Sequence, residues 1–181
     1  MAFEVTFELT ESDLEHFREV MTTAQSKAML LPEHIIIENA KNLIQDVSDS
    51  VPEFVKQRID KLQTLIAMIE DSEWKIPEEE RKDVISALSY FSEPEDMVPD
   101  DIPALGFLDD AIMIELVAED LKDDIEAFDE FCAYRQREQE RAGDDVITKE
   151  DWLDAKRREL HSRMRNRRSS RRSGRSSFRI F

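Results

Sequence analysis

Apolar residues recur at helical spacing along most of the chain. Leu14, Phe17, Met21, Ala24 and Ala28 follow one another at steps of three and four, predicting a first amphipathic helix. Thr10 begins it, with Asp13 three residues on as a reciprocal cap. Pro32, Pro52 and Pro77 each stand where a helix can open, because the first helical residues need no intrahelical N–H partner. Behind them run three further stripes: Ile36, Ala40, Leu43, Ile44 and Val47; then Val55, Ile59, Leu62, Ile66 and Ile69; then Val84, Leu88 and Phe91. A long helix is expected from about Phe107 to Arg141, with Ile114, Val117, Leu121, Ile125, Phe128 and Cys132 on its main face. In its first half Ile112, Met113 and Leu116 make the opposite face apolar too, so that half is expected to be central and buried all round. A last helix starts at Thr148, with Asp151 at capping spacing, and runs through Trp152, Leu153, Leu160 and Met164.

These elements predict an all-α fold, a bundle of five to six helices with a central helical hairpin. Residues 1–142 form an acidic helical domain with the hairpin at 80–120, residues 143–165 a C-terminal helix, and residues 166–181 a tail. Phe3, Val5, Phe7 and Leu9 alternate with polar residues, the period of a short strand in want of a partner. The tail, rich in arginine and serine, cannot build a core and is expected to be disordered by itself. Its end, Phe178–Phe181, is apolar again and suits a short docking peptide that could add to Phe3–Leu9.

Charge divides the chain. Residues 1–155 carry 14 basic and 41 acidic side chains, a net of −27, whereas residues 156–181 carry 11 basic and one acidic, a net of +10. Arg163, Arg165, Arg167, Arg168, Arg171, Arg172, Arg175 and Arg179 supply most of the positive end. Guanidinium forks pair with phosphate as well as with carboxylate, so nucleic acid and an anionic membrane surface are candidate partners. The acidic body repels polyanions and can hold its own tail at high effective concentration, which favours self-contact or a protein partner. No stretch approaches the roughly 20 apolar residues of a membrane span, no secretory leader is recognisable, and Cys132 is the single cysteine. A cytoplasmic location is expected.

Catalytic chemistry finds little support in the sequence. His16, His34 and His161 are scattered without metal-ligand spacing, and each suits a surface or boundary position. Cys132 suits a small buried hydrophobe. There is no phosphate-cradling glycine loop, nucleophile elbow or zinc motif, and no cofactor is implied. Glu78–Glu80 and the pair Asp123 and Asp124 suit solvated faces, and Trp74 and Trp152 suit core or edge packing.

The region 92–106 breaks the helical period with three prolines and several acids. Gly106 is placed to cap the following helix, putting Asp109 at its third position, where a carboxylate can take a free backbone N–H. Asp110 projects at the angle of Phe128, onto the buried stripe, and must therefore find donors, either helix N-terminal amides or a basic or hydroxyl side chain such as that of Tyr90. Asp96, Asp100, Asp101, Asp109 and Asp110 offer oxygen ligands suited to Mg²⁺ or Ca²⁺, but in no EF-hand spacing; caps and turns account for them without a metal.

The pattern Tyr90, Pro94, Asp96, Val98, Pro99, Asp100, Ile102, Pro103, Gly106, Asp109 and Asp110 resembles the signature of the YkvA-like family, a domain of unknown function, over roughly residues 80–120. The resemblance implies two helices joined by this loop, with the motif residues as a binding region. Many relatives are small bacterial proteins with an apolar, membrane-associated helix, and some are joined to RING ubiquitin ligases. Here the second helix is too charged to span a membrane and the RING cysteines are missing. Neither property carries over. The expectation is a non-catalytic adaptor or regulator. A nucleic-acid- or ribosome-associated factor working through the tail is the alternative, and divalent-metal-dependent activity at the aspartate loop is a third reading.

Overall fold

A computed structural model describes residues 8–28, 30–47, 51–92, 107–142 and 146–176. Seven α-helices account for most of them: α1 Glu11–Ala28, α2 Glu33–Asp46, α3 Glu53–Glu70, α4 Glu78–Leu88, α5 Leu108–Asp120, α6 Lys122–Ala142 and α7 Val146–Ser176. A 3₁₀ turn, Ser89–Ser92, follows α4. The described residues contain no strand, and the alternating segment 3–9 lies almost wholly outside them. The all-α expectation holds.

Local chemistry explains the helix starts. The Thr10 amide and hydroxyl both donate to Asp13 Oδ2, at 2.8 and 2.7 Å, and the Asp13 amide donates to Thr10 Oγ1 at 3.4 Å. This is the expected reciprocal cap with aspartate in the acceptor place. Pro32, Pro52 and Pro77 each stand one residue before their helix, with carbonyls accepting from the amides of Ile36, Lys56 and Arg81. Proline there forfeits no helical hydrogen bond.

The chain divides into two compact units, residues 1–63 with 85–117 and residues 64–84 with 118–181. In the first, the 3₁₀ turn packs on α1 and α2. Met21, Ala24, Ile36, Ala40, Ile59 and Leu62 are buried there. From Asp109 to Val117 all positions of α5 but Ile112 and Glu115 are buried, as its all-round apolar pattern predicts. Glu115 emerges to accept from Lys61 Nζ at 2.7 Å, with Arg58 Nε at 3.0 Å. Burial raises the Glu115 pKa, but the hydrogen bond and charge of Lys61, helped by Arg58, win and hold it below the usual range.

In the second unit α6 and α7 pack antiparallel, with Trp152 edge-on to Tyr134 at one end and Arg167 against Asp123 at the other. Trp74, fully buried, fills the aromatic centre. Its ring lies 5.7 Å from Phe128, 5.1 Å from Phe131 and 4.5 Å from His161. The loop bearing Trp74 is tied from three sides. Asp71 Oδ1 accepts from the amides of Glu73 and Trp74, Arg135 pairs with Asp71 and Glu73, and buried Arg157 donates to the Glu73 carbonyl at 2.7 Å. Burial raises the Asp71 pKa, yet hydrogen bonds from Arg135 and the Trp74 amide bring it below the ordinary value.

Two helical expectations change. The long helix Phe107–Arg141 is two helices, parted at Leu121, whose carbonyl accepts from both the Asp124 and Ile125 amides at 3.0 Å. The final helix starts at Val146, with Thr148 already inside it, and does not stop near residue 165. It continues to Ser176, so residues 166–176, expected as disordered tail, are helical, and residues 177–181 lie outside the described part. The physical reason for the longer helix is visible at Arg167 and Arg168, which find carboxylates on α6 and α4.

Candidate functional site

Two features compete for the role of functional site, one in each unit. The first is the motif region. Pro94, Asp96, Pro99, Asp100, Pro103 and Gly106 lie outside the described residues, as does Asp101. Tyr90, Asp109 and Asp110 are described, and all three are buried. Tyr90 sits in the 3₁₀ turn with its ring edge-on to Phe91 at 5.0 Å.

The start of α5 differs by one residue from the expected cap. Phe107 has φ of 65° and its carbonyl accepts from Ala111 N at 2.9 Å, so Phe107, not Gly106, stands in the capping place. A left-handed backbone at phenylalanine costs on the order of 1 kcal/mol, and burial of its ring in the first unit offsets that cost. Asp109 and Asp110 thereby become the second and third helical residues, both within the first turn, where the helix dipole favours carboxylates. Asp110 is buried, as its angular position predicts. Replacing Asp110 with leucine is expected to destabilise the fold by about 2–3 kcal/mol, because donors satisfied by a buried carboxylate are left without it. A chemical melt checks this, and an unchanged midpoint would mean that the Asp110 carboxylate satisfies no buried donor.

The second feature is the charged half of α7. Lys156 and Arg163 converge on Glu130 of α6, at 2.7 and 2.5 Å. Their hydrogen bonds lower the Glu130 pKa. Arg167 reaches Asp123 at 2.9 Å and Glu126 at 3.5 Å, also on α6. Arg168 turns to α4, with Glu80 at 3.5 Å and Asp83 closer. Arg165 is exposed and borders, with Arg168 and Ser169, a groove of about 340 Å³ over the first turn of α4. Arg163, Asn166, Arg167 and Ser170 line another of about 590 Å³ beside Asp123. Arg171, Arg172 and Arg175 fall in the last turns of α7, and Arg179 lies outside the described residues.

The carboxylates that receive the arginines are not all solvated, contrary to expectation. Glu80 is 3% exposed. Asp124 is half-buried, and its pKa is pushed up to about 6, by burial first and then by the charges of Glu80, Asp83 and Asp123, with Arg168 opposing. Sequence spacing carried a signal for both. Glu80 stands four and eight residues before Val84 and Leu88, on their stripe, and Asp124 stands four before Phe128.

The remaining candidates are structural. Cys132 is half-buried; burial raises its thiol pKa, which makes it a poor nucleophile at neutral pH. His161, against Trp74, has its pKa lowered to about 4 by burial and by Arg157 and Arg165, and is neutral at pH 7. Among the described residues no group of three or more histidine, cysteine, aspartate or glutamate side chains is arranged to hold a metal ion. No helix among them is long and apolar enough to cross a membrane.

Comparison with known proteins adds a family segment. A family model described as a protein of unknown function, DUF1232, matches residues 84–116, from the second half of α4 through most of α5. The YkvA-like resemblance is consistent with that match, which covers the motif and leaves α6 and α7 outside it. No curated protein and no solved structure matches the chain.

Proposed function

We propose that the chain is a non-catalytic adaptor or regulatory protein of the cytoplasm, whose basic helix recognises carboxylate-rich protein surface. The observation that supports this most is the pairing of Arg163, Arg167 and Arg168 with glutamates and aspartates of α4 and α6. Those arginines are arranged to satisfy carboxylates at protein spacing, and the acidic body offers matching chemistry for a basic partner. The motif segment around Tyr90, Asp109 and Asp110 is a buried support for its helix in this reading, and the loop between them is a contact region.

A second reading has its own support. Arg163, Asn166, Arg167 and Ser170 border one groove, and all four side chains can donate to phosphate oxygens. Native affinity capture of the full-length protein, with and without nuclease, separates the two. Protein partners that persist after nuclease treatment are the expected result. Partners that vanish with nuclease, together with retention of a duplex oligonucleotide whose log–log salt slope is near about −7, would replace the adaptor reading with nucleic-acid binding. Retention on vesicles of anionic lipid, and not on oligonucleotide, would assign the arginines to a membrane surface. The metal reading of the aspartate loop has a separate test. No heat and no thermal shift on titration with Mg²⁺, Ca²⁺ or Mn²⁺ is expected, and a saturable response would reinstate it.

A further inference from the structure

The arginine end of α7 differs from the rest of the helix in what holds it. Up to Met164 the helix is anchored by buried Leu153, Leu160 and Met164, and by Arg157, which is buried and bonded to the Glu73 carbonyl. After Met164 no hydrophobic residue occurs until Phe178. From Arg165 to Ser176 apolar burial therefore contributes almost nothing, and among the described side chains the contacts across to other helices are ionic, made by Arg167 to α6 and by Arg168 to α4. A helical segment of that length is marginal by itself in water. Solvated ion pairs are individually weak and screened by salt.

The receiving side has more charge than it needs. Glu80 and Asp83 from α4 and Asp123, Asp124 and Glu126 from α6 stand against Arg167 and Arg168. Among the described side chains, five carboxyl groups face two guanidinium groups. Glu80 and Asp124 also lie on the apolar stripes of their helices, where a hydrophobic residue would stabilise the unit better. Their placement makes sense as a receiver built for a removable cation.

We propose that the α4 and α6 carboxylates form a cover for the arginine end of α7, and that residues 165–176 release from this cover by charge competition while the Leu153–Met164 anchor stays packed. The covered state pairs Arg167 and Arg168 with the chain's own carboxylates, and the released state frees both guanidinium groups from those partners. The device concerns how the chain treats its own arginines, so it stands whether the external partner is a protein or a nucleic acid.

Trypsin reads it directly, because cleavage after Arg165, Arg167 and Arg168 requires the local backbone to leave the helix. The full-length protein is compared with the double variant Asp83→Asn, Asp123→Asn. Both replaced carboxylates are partly exposed and each touches one of the two arginines. Cleavage at these three bonds is followed by mass spectrometry at low and high salt, normalised to a small peptide substrate. The near-ultraviolet dichroism of Trp74 and Trp152 reports the anchor. Expected are about tenfold faster cleavage in the variant at low salt, a rise of the unaltered protein towards it at high salt, and an unchanged tryptophan signal. Equal rates in the two proteins at low salt, or no response of the unaltered protein to salt, would overturn the cover. Cleavage that appears only together with loss of the tryptophan signal would also overturn it, since the arginine end would then unfold with the unit.

Discussion

Replacing Trp74 with alanine is expected to lower stability by about 3–5 kcal/mol, the largest effect of any single substitution in the second unit. The indole is fully buried and touches three rings, Phe128, Phe131 and His161, from two different helices. Alanine would leave a cavity that this arrangement cannot close, because the loop carrying residue 74 is fixed independently. Asp71 takes the amides of Glu73 and Trp74, Arg135 clamps Asp71 and Glu73, and Arg157 holds the Glu73 carbonyl. A loop pinned this way cannot sink towards α6 to fill the space. Trp152 is the control. It is half-buried and makes one edge contact with Tyr134 at 5.5 Å, so its alanine variant is expected to lose about 1 kcal/mol. Urea melts of both variants check the contrast. Similar losses in the two would mean that Trp74 is not the packing centre of the unit.

The difference between the two tryptophans was not legible in the sequence, because what distinguishes them is long-range. Trp74 follows a helix end, with no periodic pattern around it, and its partners lie more than 50 residues away. What could be read was local. Apolar steps of three and four located the helices, prolines marked three starts, Thr10 and Asp13 announced their mutual cap, and the all-round apolar pattern of α5 announced its burial. The break at Leu121 was not legible, because residues 120–122 contain neither proline nor glycine. That break also shifts the buried face of α6 from Ile125 and Cys132, both half-buried, towards Ala127 and Phe131, with Phe128 kept. Of the motif, Asp110 could be placed on a buried face from its angle alone, whereas the backbone of Phe107 could not, since left-handed φ is a glycine property by default. The helical end of α7 was missed for a related reason. Composition predicts whether a segment can build its own core, and says nothing of carboxylates supplied by α4 and α6.

Replacing Asp124 with asparagine is expected to stabilise the protein at pH 8 and to do nothing at pH 3.5. The folded-state pKa of Asp124 is about 6, above its ordinary value of 3.8. The folded protein therefore holds the proton more tightly than the unfolded chain does. Below pH 3.8 both states are protonated and the fold carries no penalty; as pH rises through about 6 the folded state must ionise a carboxyl among Glu80, Asp83 and Asp123, and the penalty is complete above that. Asparagine removes it, and after allowance for solvent screening the gain at pH 8 is about 1–2 kcal/mol. His161 acts in the opposite direction over much of the same interval. Its folded-state pKa is about 4, below the ordinary 6.5, so the neutral ring's contribution is full above pH 6.5 and is lost as pH falls through 4. Between pH 4 and 6 the two slopes oppose each other in the unaltered protein. In the asparagine variant the histidine slope stands uncovered, and stability should rise more steeply with pH across that interval. Urea melts of both proteins from pH 3.5 to 8 test this. A gain of the same size at every pH would assign the effect to amide packing, and no gain at pH 8 would mean that Arg168 already neutralises Asp124 in full.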